Sequence, residues 1–213
     1  MIRPFATLFA APHRLAFLAG SLGLVSAAWW WLVRLGGLYL DWAQPPAGAL
    51  PAALLHPPVI LLQVYPAFIF GFLMTVFPRW MGQPDLTSRQ FGPVAAALVI
   101  GIALTAGGLW SGQDRLILAA LGLAGIGWSI GLALLGQVVL VHHRAGKSPC
   151  WHAVSTLAAL LTGLVALSLV VVFMQTLNAR LLRWGNALGL GGFILPVFLT
   201  VARASIAGLL ALA

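Results

Sequence analysis

Six apolar runs, each long enough to cross a bilayer, leave this chain little choice of fold. They cover roughly 15–35, 59–77, 94–110, 116–141, 153–174 and 187–201, the last running further if the apolar tail to Ala213 belongs to it. A helix needs about 20 mostly apolar residues to cross about 30 Å of hydrocarbon. The runs are continuous rather than alternating, so they read as helices and not barrel strands, and each helix satisfies its own backbone in lipid. The expectation is an all-α integral membrane bundle of about six transmembrane helices. Charge agrees with this. Eleven Lys+Arg and three Asp+Glu make 7% of the 213 residues, against roughly 25% in soluble domains. That shortage excludes a soluble enzyme and a disordered chain, and the lone Cys150 excludes a disulfide-stapled scaffold. The net charge of +8 forms no basic stripe, so no nucleic acid is expected as a partner; the lipid bilayer is.

Turn chemistry separates the runs: Gly36-Gly37, Gln44-Pro45-Pro46-Ala47-Gly48, Gly82-Gln83-Pro84-Asp85, Ser111-Gly112-Gln113-Asp114 and Gly146-Lys147-Ser148-Pro149. Spans three and four are joined so tightly that they should form an antiparallel hairpin. No stretch reads as a linker between domains, so 1–213 is taken as a single polytopic domain. The balance of Lys and Arg over short loops favours both ends in the cytoplasm (N-in/C-in). Arg3, Arg14, Arg79, Arg89, Arg144, Lys147 and Arg203 then lie inside, and Arg34, Arg115, Arg180 and Arg183 outside. The first run ends in Trp29-Trp30-Trp31 with no small-x-small cleavage site, so it is expected to stay as a transmembrane helix. Trp42, Trp80, Trp110, Trp151 and Trp184 sit at run ends, as an interfacial aromatic belt requires.

The acids Asp41, Asp85 and Asp114 all fall in loops, which excludes a buried carboxylate relay and an ion-coupled transporter built on one. Small residues at fourfold spacing (Ala67, Gly71 and Thr75; Gly127 and Gly131; Gly185 and Gly189) are expected to let helices approach closely. The histidines lie at span ends. His13 stands at the mouth of span one, His142 and His143 end span four, His152 opens span five, and His56 begins span two on the far face. Imidazole is the usual axial ligand of b-type haem and a common copper ligand. Ligands of one metal share a depth, so His13 can combine with His143 or His152, while His56 needs a site of its own. The plainer readings stand beside these: a polar loop for His142 and His143, an interfacial residue for His152, an inert thiol for Cys150. In span two, Pro66 interrupts the hydrogen-bond ladder near Gln63 and Tyr65. Arg79 beside Trp80 can hold an anionic group such as a haem propionate or a lipid headgroup, or act as an anchor.

At these residues the chain resembles the NnrS family of bacterial haem- and copper-containing membrane proteins. The likeness rests on three stretches in order. The first is Arg3-Pro4-Phe5 with the segment from Ala11-Pro12-His13-Arg14 to Gly20; the second runs from His56 through Gly71-Phe72-Leu73-Met74-Thr75 to Pro78-Arg79-Trp80-Met81-Gly82. The third runs from Trp184-Gly185-Asn186 to Thr200-Val201. Where the family carries a second histidine and a glutamate at the entry to span two, this chain has Pro58 and Val59. Where the family continues into an H-R-M-x-P-F-F-like segment, it reads Arg203-Ala204-Ser205-Ile206-Ala207-Gly208. Members are longer and carry more spans, so the likeness is to their amino-terminal half, as in a truncated product or a half-size relative.

The resemblance implies an inner-membrane protein linked to nitric oxide metabolism or nitrosative stress. It implies haem b, and copper as a further cofactor, with His13 and His56 as metal ligands and Arg79, His143 and His152 as further cofactor contacts. The competing expectation is a non-catalytic membrane scaffold or subunit without a cofactor, completed by a second copy or a second membrane subunit. A small permease built around the Pro66 break is a third reading, weakened by the lack of a paired broken helix.

Overall fold

The computed structural model describes residues 7, 8 and 10–210, with side chains described as far as Arg203. The Arg3-Pro4-Phe5 stretch and the side chains of 204–213 lie outside the described residues. Among those described, all regular structure is helical. Six helices are long and apolar enough to span a membrane. They are α1 (Pro12–Tyr39), α2 (Ala52–Trp80), α3 (Ser88–Ser111), α4 (Asp114–Arg144), α5 (Trp151–Thr176) and α6 (Ala179–Arg203, its backbone helical on to Leu210). All six expected spans are present.

Two boundaries differ from expectation for physical reasons. α2 begins at Ala52, ahead of the apolar run expected from 59. The missing Pro57 and Pro58 N–H groups would have bonded the carbonyls of Ala53 and Leu54; both residues are exposed, so water can take those carbonyls. α6 begins at Ala179 and takes in Arg180 and Arg183, which hydropathy had assigned to a loop. Asn178 caps it, its side chain accepting the Arg180 N–H at 3.1 Å. Both arginines remain exposed, with their heads free to reach the aqueous boundary.

α1 packs on α2 and α3, the α3–α4 hairpin forms the tightest pair, and α5 bridges α4 to α6. The core is aromatic: Trp30, Trp128, Phe70, Phe77, Phe91 and Phe193 are fully buried. Glycines set the close approaches. A Cβ at Gly71 would lie 2.8 Å from the Ala16 Cβ, so α1 and α2 touch there as the small-residue spacing anticipated. α2 and α6 are each interrupted by a π-helical segment, Ile60–Val64 and Leu188–Ile194, and the two segments contact one another. In α2 the Tyr65 N–H reaches back to Ile60 O just ahead of buried Pro66. The bulge thus forms where proline removes a donor from the ladder.

The helices alternate in direction, giving a His13 end and a His56 end. At the His56 end the loop after α1 is pinned to the α3–α4 turn. Gly112 sits there at φ +68°, where a Cβ would lie 2.7 Å from Pro46 O. Gly112→Val is therefore expected to cost about 1–2 kcal/mol in backbone strain alone and more from the clash, read as a lower thermal midpoint of the purified protein in detergent.

Candidate functional site

The histidines divide between the two ends, as their depths anticipated. His13 lies in the first turn of α1, half-buried, with Nδ1 3.3 Å from the Thr75 hydroxyl of α2. That hydroxyl donates to Gly71 O at 2.9 Å, so its oxygen is left to accept the His13 Nδ1–H. A ring that donates from Nδ1 in this way turns its other nitrogen, Nε2, outward from the relay, the arrangement that metal-bound histidines use. One turn on, Phe17 stands edge-on to His13 at 5.9 Å and meets Phe68 at 5.7 Å. Phe17, Phe68, Phe72, Val197 and Phe198 line a groove of about 280 Å³ between α1, α2 and α6. An imidazole with a free nitrogen thus stands one turn beyond an apolar, phenylalanine-walled groove. Thr75→Val keeps the shape and removes the hydroxyl, and is expected to cost about 1 kcal/mol for the lost hydrogen bond to His13, read as a lower thermal midpoint in detergent.

Arg79 follows Thr75 by four residues and so shares its face of α2. It is exposed and paired with Asp85, Nε to Oδ1 at 3.2 Å. His152, in the first turn of α5, stands edge-on to Trp80 at 4.9 Å and places Nε2 2.9 Å from Cys150 Sγ. Thr75 and Trp80 are five residues apart, so His13 and His152 address faces of α2 about 140° apart. His143 is exposed at the end of α4 and lines a cleft of about 290 Å³ with Cys150 and Trp151. Its neighbour His142 has both nitrogens within hydrogen-bond distance of carbonyls, Met81 O at 3.2 Å and Ser148 O at 3.1 Å. Burial pushes the Cys150 thiol up from its ordinary range, against a lesser opposing pull from the Ala153 backbone. A thiol held protonated is a poor metal ligand. Among the described residues no group of three or more His, Cys, Asp or Glu is placed to hold a metal ion.

His56 lies about 28 Å from Thr75 along the α2 axis. Its ring stacks on Trp31 at 4.6 Å and 16°, and its Nδ1 is buried without a partner. Pro58 and Val59, one turn or less beyond it, are both buried. Deeper in α2, the unpartnered Gln63 Oε1 and Thr105 Oγ1 line a cavity of about 10 Å³ beside Ser26. That is room for one water between polar atoms. Sequence reasoning marked Gln63, but Thr105 on α3 carried no signal of its own.

No curated protein and no solved structure matches the chain. A family model does: that of the NnrS protein, over residues 7–208. With nearly its whole length matched, and with its six apolar helices in place, the chain belongs to the NnrS family.

Proposed function

We propose that this chain is a multi-pass protein of the bacterial inner membrane, both ends cytoplasmic, that holds haem b at His13 and serves in nitric oxide metabolism or the response to nitrosative stress. The observation that carries the reading is the His13–Thr75–Gly71 relay beside the phenylalanine groove. The residues present fit the group. His13 offers Nε2 as an axial donor, Phe17, Phe68, Phe72 and Phe198 exclude water from an apolar ring, and Arg79 on the same face offers a guanidinium for a propionate. A haem bound there supplies an iron that takes nitric oxide as a ligand. The three aspartates of the chain lie outside the apolar core, so no carboxylate is placed to deliver protons for its reduction. Binding or sensing fits this chain better than turnover.

For copper the support is thinner: His56 offers one imidazole, and among the described residues no group of three or more His, Cys, Asp or Glu is placed to complete a site. The test of the haem reading is a reduced-minus-oxidised spectrum with a pyridine haemochrome assay on the protein purified in mild detergent. A b-type signal near one haem per chain is expected. No signal after haem supplementation would sink the reading and leave a membrane scaffold or subunit that completes its bundle with another chain.

A further inference from the structure

At the His56 end the loop over 40–51 roofs a chamber of about 430 Å³ whose walls include Trp30, Arg34, Leu55, Leu109, Asp114 and Ile117. Arg34 is its one cation. Its Nη1 donates to Gln44 Oε1 at 3.2 Å and its Nη2 to Pro46 O at 2.6 Å, both neutral acceptors, and its Nε has no partner. The guanidinium lies over the Trp30 ring at 5.6 Å. Trp30 is only 2% exposed, and its indole N–H also lacks an acceptor. Asp114 shares the chamber but spends Oδ2 on the Leu50 N–H at 3.0 Å and sits in the first turn of α4, where a helix favours a negative charge. The ion pair of the described residues is Arg79 with Asp85, so the charge of Arg34 is not neutralised by a carboxylate.

Arg34 is half-buried, its two bonds go to neutral acceptors, and it stands next to a buried N–H with none, so the chamber offers donors that an anion can complete. The remaining walls are aliphatic or aromatic, which selects for an apolar body behind the anionic group. We propose that this chamber is a binding site for an organic monocarboxylate, its carboxylate held by Arg34 and the Trp30 indole N–H, its apolar body lying against Leu55, Leu109 and Ile117. The Gln44 contact is the one a ligand displaces, since Gln44 is exposed and its bond is the longer of the two. Asp114 across the chamber disfavours a second negative charge on the ligand. The site stands at the opposite end from His13 and does not rest on the haem reading.

The probe is 2-naphthoate, titrated by calorimetry into the purified full chain in detergent, with 2-naphthamide as the uncharged analogue. Naphthoate should bind and naphthamide should bind at least about tenfold more weakly. Arg34→Gln should weaken naphthoate by roughly 10–100-fold and Trp30→Phe, which keeps the ring, by roughly 2–10-fold, with naphthamide unchanged. Trp30→Phe keeps an aromatic ring in the core and leaves only a small void, so it reads the site even if Arg34→Gln fails to elute as a single folded species. Equal binding of the two probes, no binding of either, or full affinity in Trp30→Phe would overturn the proposal. Repeating the titration with added haem separates the sources of the carboxylate. Competition assigns it to a haem propionate, and unchanged affinity assigns it to a free amphiphile.

Discussion

Under the proposed haem reading, replacing His13 with alanine is expected to abolish the b-type signal of the purified protein, with haem retention falling by about 100-fold. The substitution removes the one imidazole nitrogen that is free of a partner and stands at the end of the phenylalanine groove. It should do so without unfolding the bundle. His13 is half-buried, and Thr75 keeps its own bond to Gly71 O, so the fold loses one hydrogen bond worth about 1 kcal/mol. Companion variants make the result specific. His56→Ala acts about 28 Å away along α2 and should leave the spectrum intact. His152→Ala removes a ring held by Cys150 and Trp80, and should also leave it intact. A signal that survives His13→Ala but disappears in His56→Ala would move the site to the other end.

The largest structural effect is expected at Trp128. Fully buried in α4, it meets Phe70 of α2 at 5.6 Å and 82°, and Phe193 of α6 at 4.8 Å. Gly163 of α5 lies beneath it, where a Cβ would fall 2.5 Å from the Trp128 ring. One indole therefore joins four helices. Trp128→Ala opens a void that none of them can close, at a cost of about 3–5 kcal/mol. Lipid is as apolar as this core, so the loss comes mainly from forfeited packing contacts rather than from exposure to water. The thermal midpoint in detergent should fall by on the order of 10 °C. Trp128→Phe should cost far less, because it leaves a smaller void and removes an indole N–H that has no acceptor.

The spans were legible because bilayer thickness imposes a minimum run length, and hydropathy reports run length directly. Their ends were less so. The second run was counted only from 59, yet the hydrogen bonds lost at Pro57 and Pro58 fall on exposed first-turn carbonyls, so the helix extends back to Ala52. Arg180 and Arg183 read as loop because charge lowers hydropathy, although a long side chain on a helix can carry its head to the boundary. The site was half visible. His13 was evident as a polar residue opening an apolar run, but its partner Thr75 is 62 residues away and has no local signature. The setting of Arg34 was hidden for the same reason, since the folded loop brings it the neutral acceptors Gln44 and Pro46 and no carboxylate. The π-helical segments left no trace in periodicity, because a single extra residue does not disturb an all-apolar pattern.

Those segments bear on how the family's chain length can drift. A ring closed from residue i to i+5 holds one residue more than the regular turn, and the surplus is absorbed locally. Loss of one residue between 60 and 64 would relax the bulge to a regular helix with Leu55 and Thr75 still on their present faces. The same loss elsewhere in α2 would rotate everything beyond it by about 100°, turning Thr75 away from His13. The bulges are thus the points at which these two helices can shorten by a residue while both ends of the molecule keep their chemistry in register.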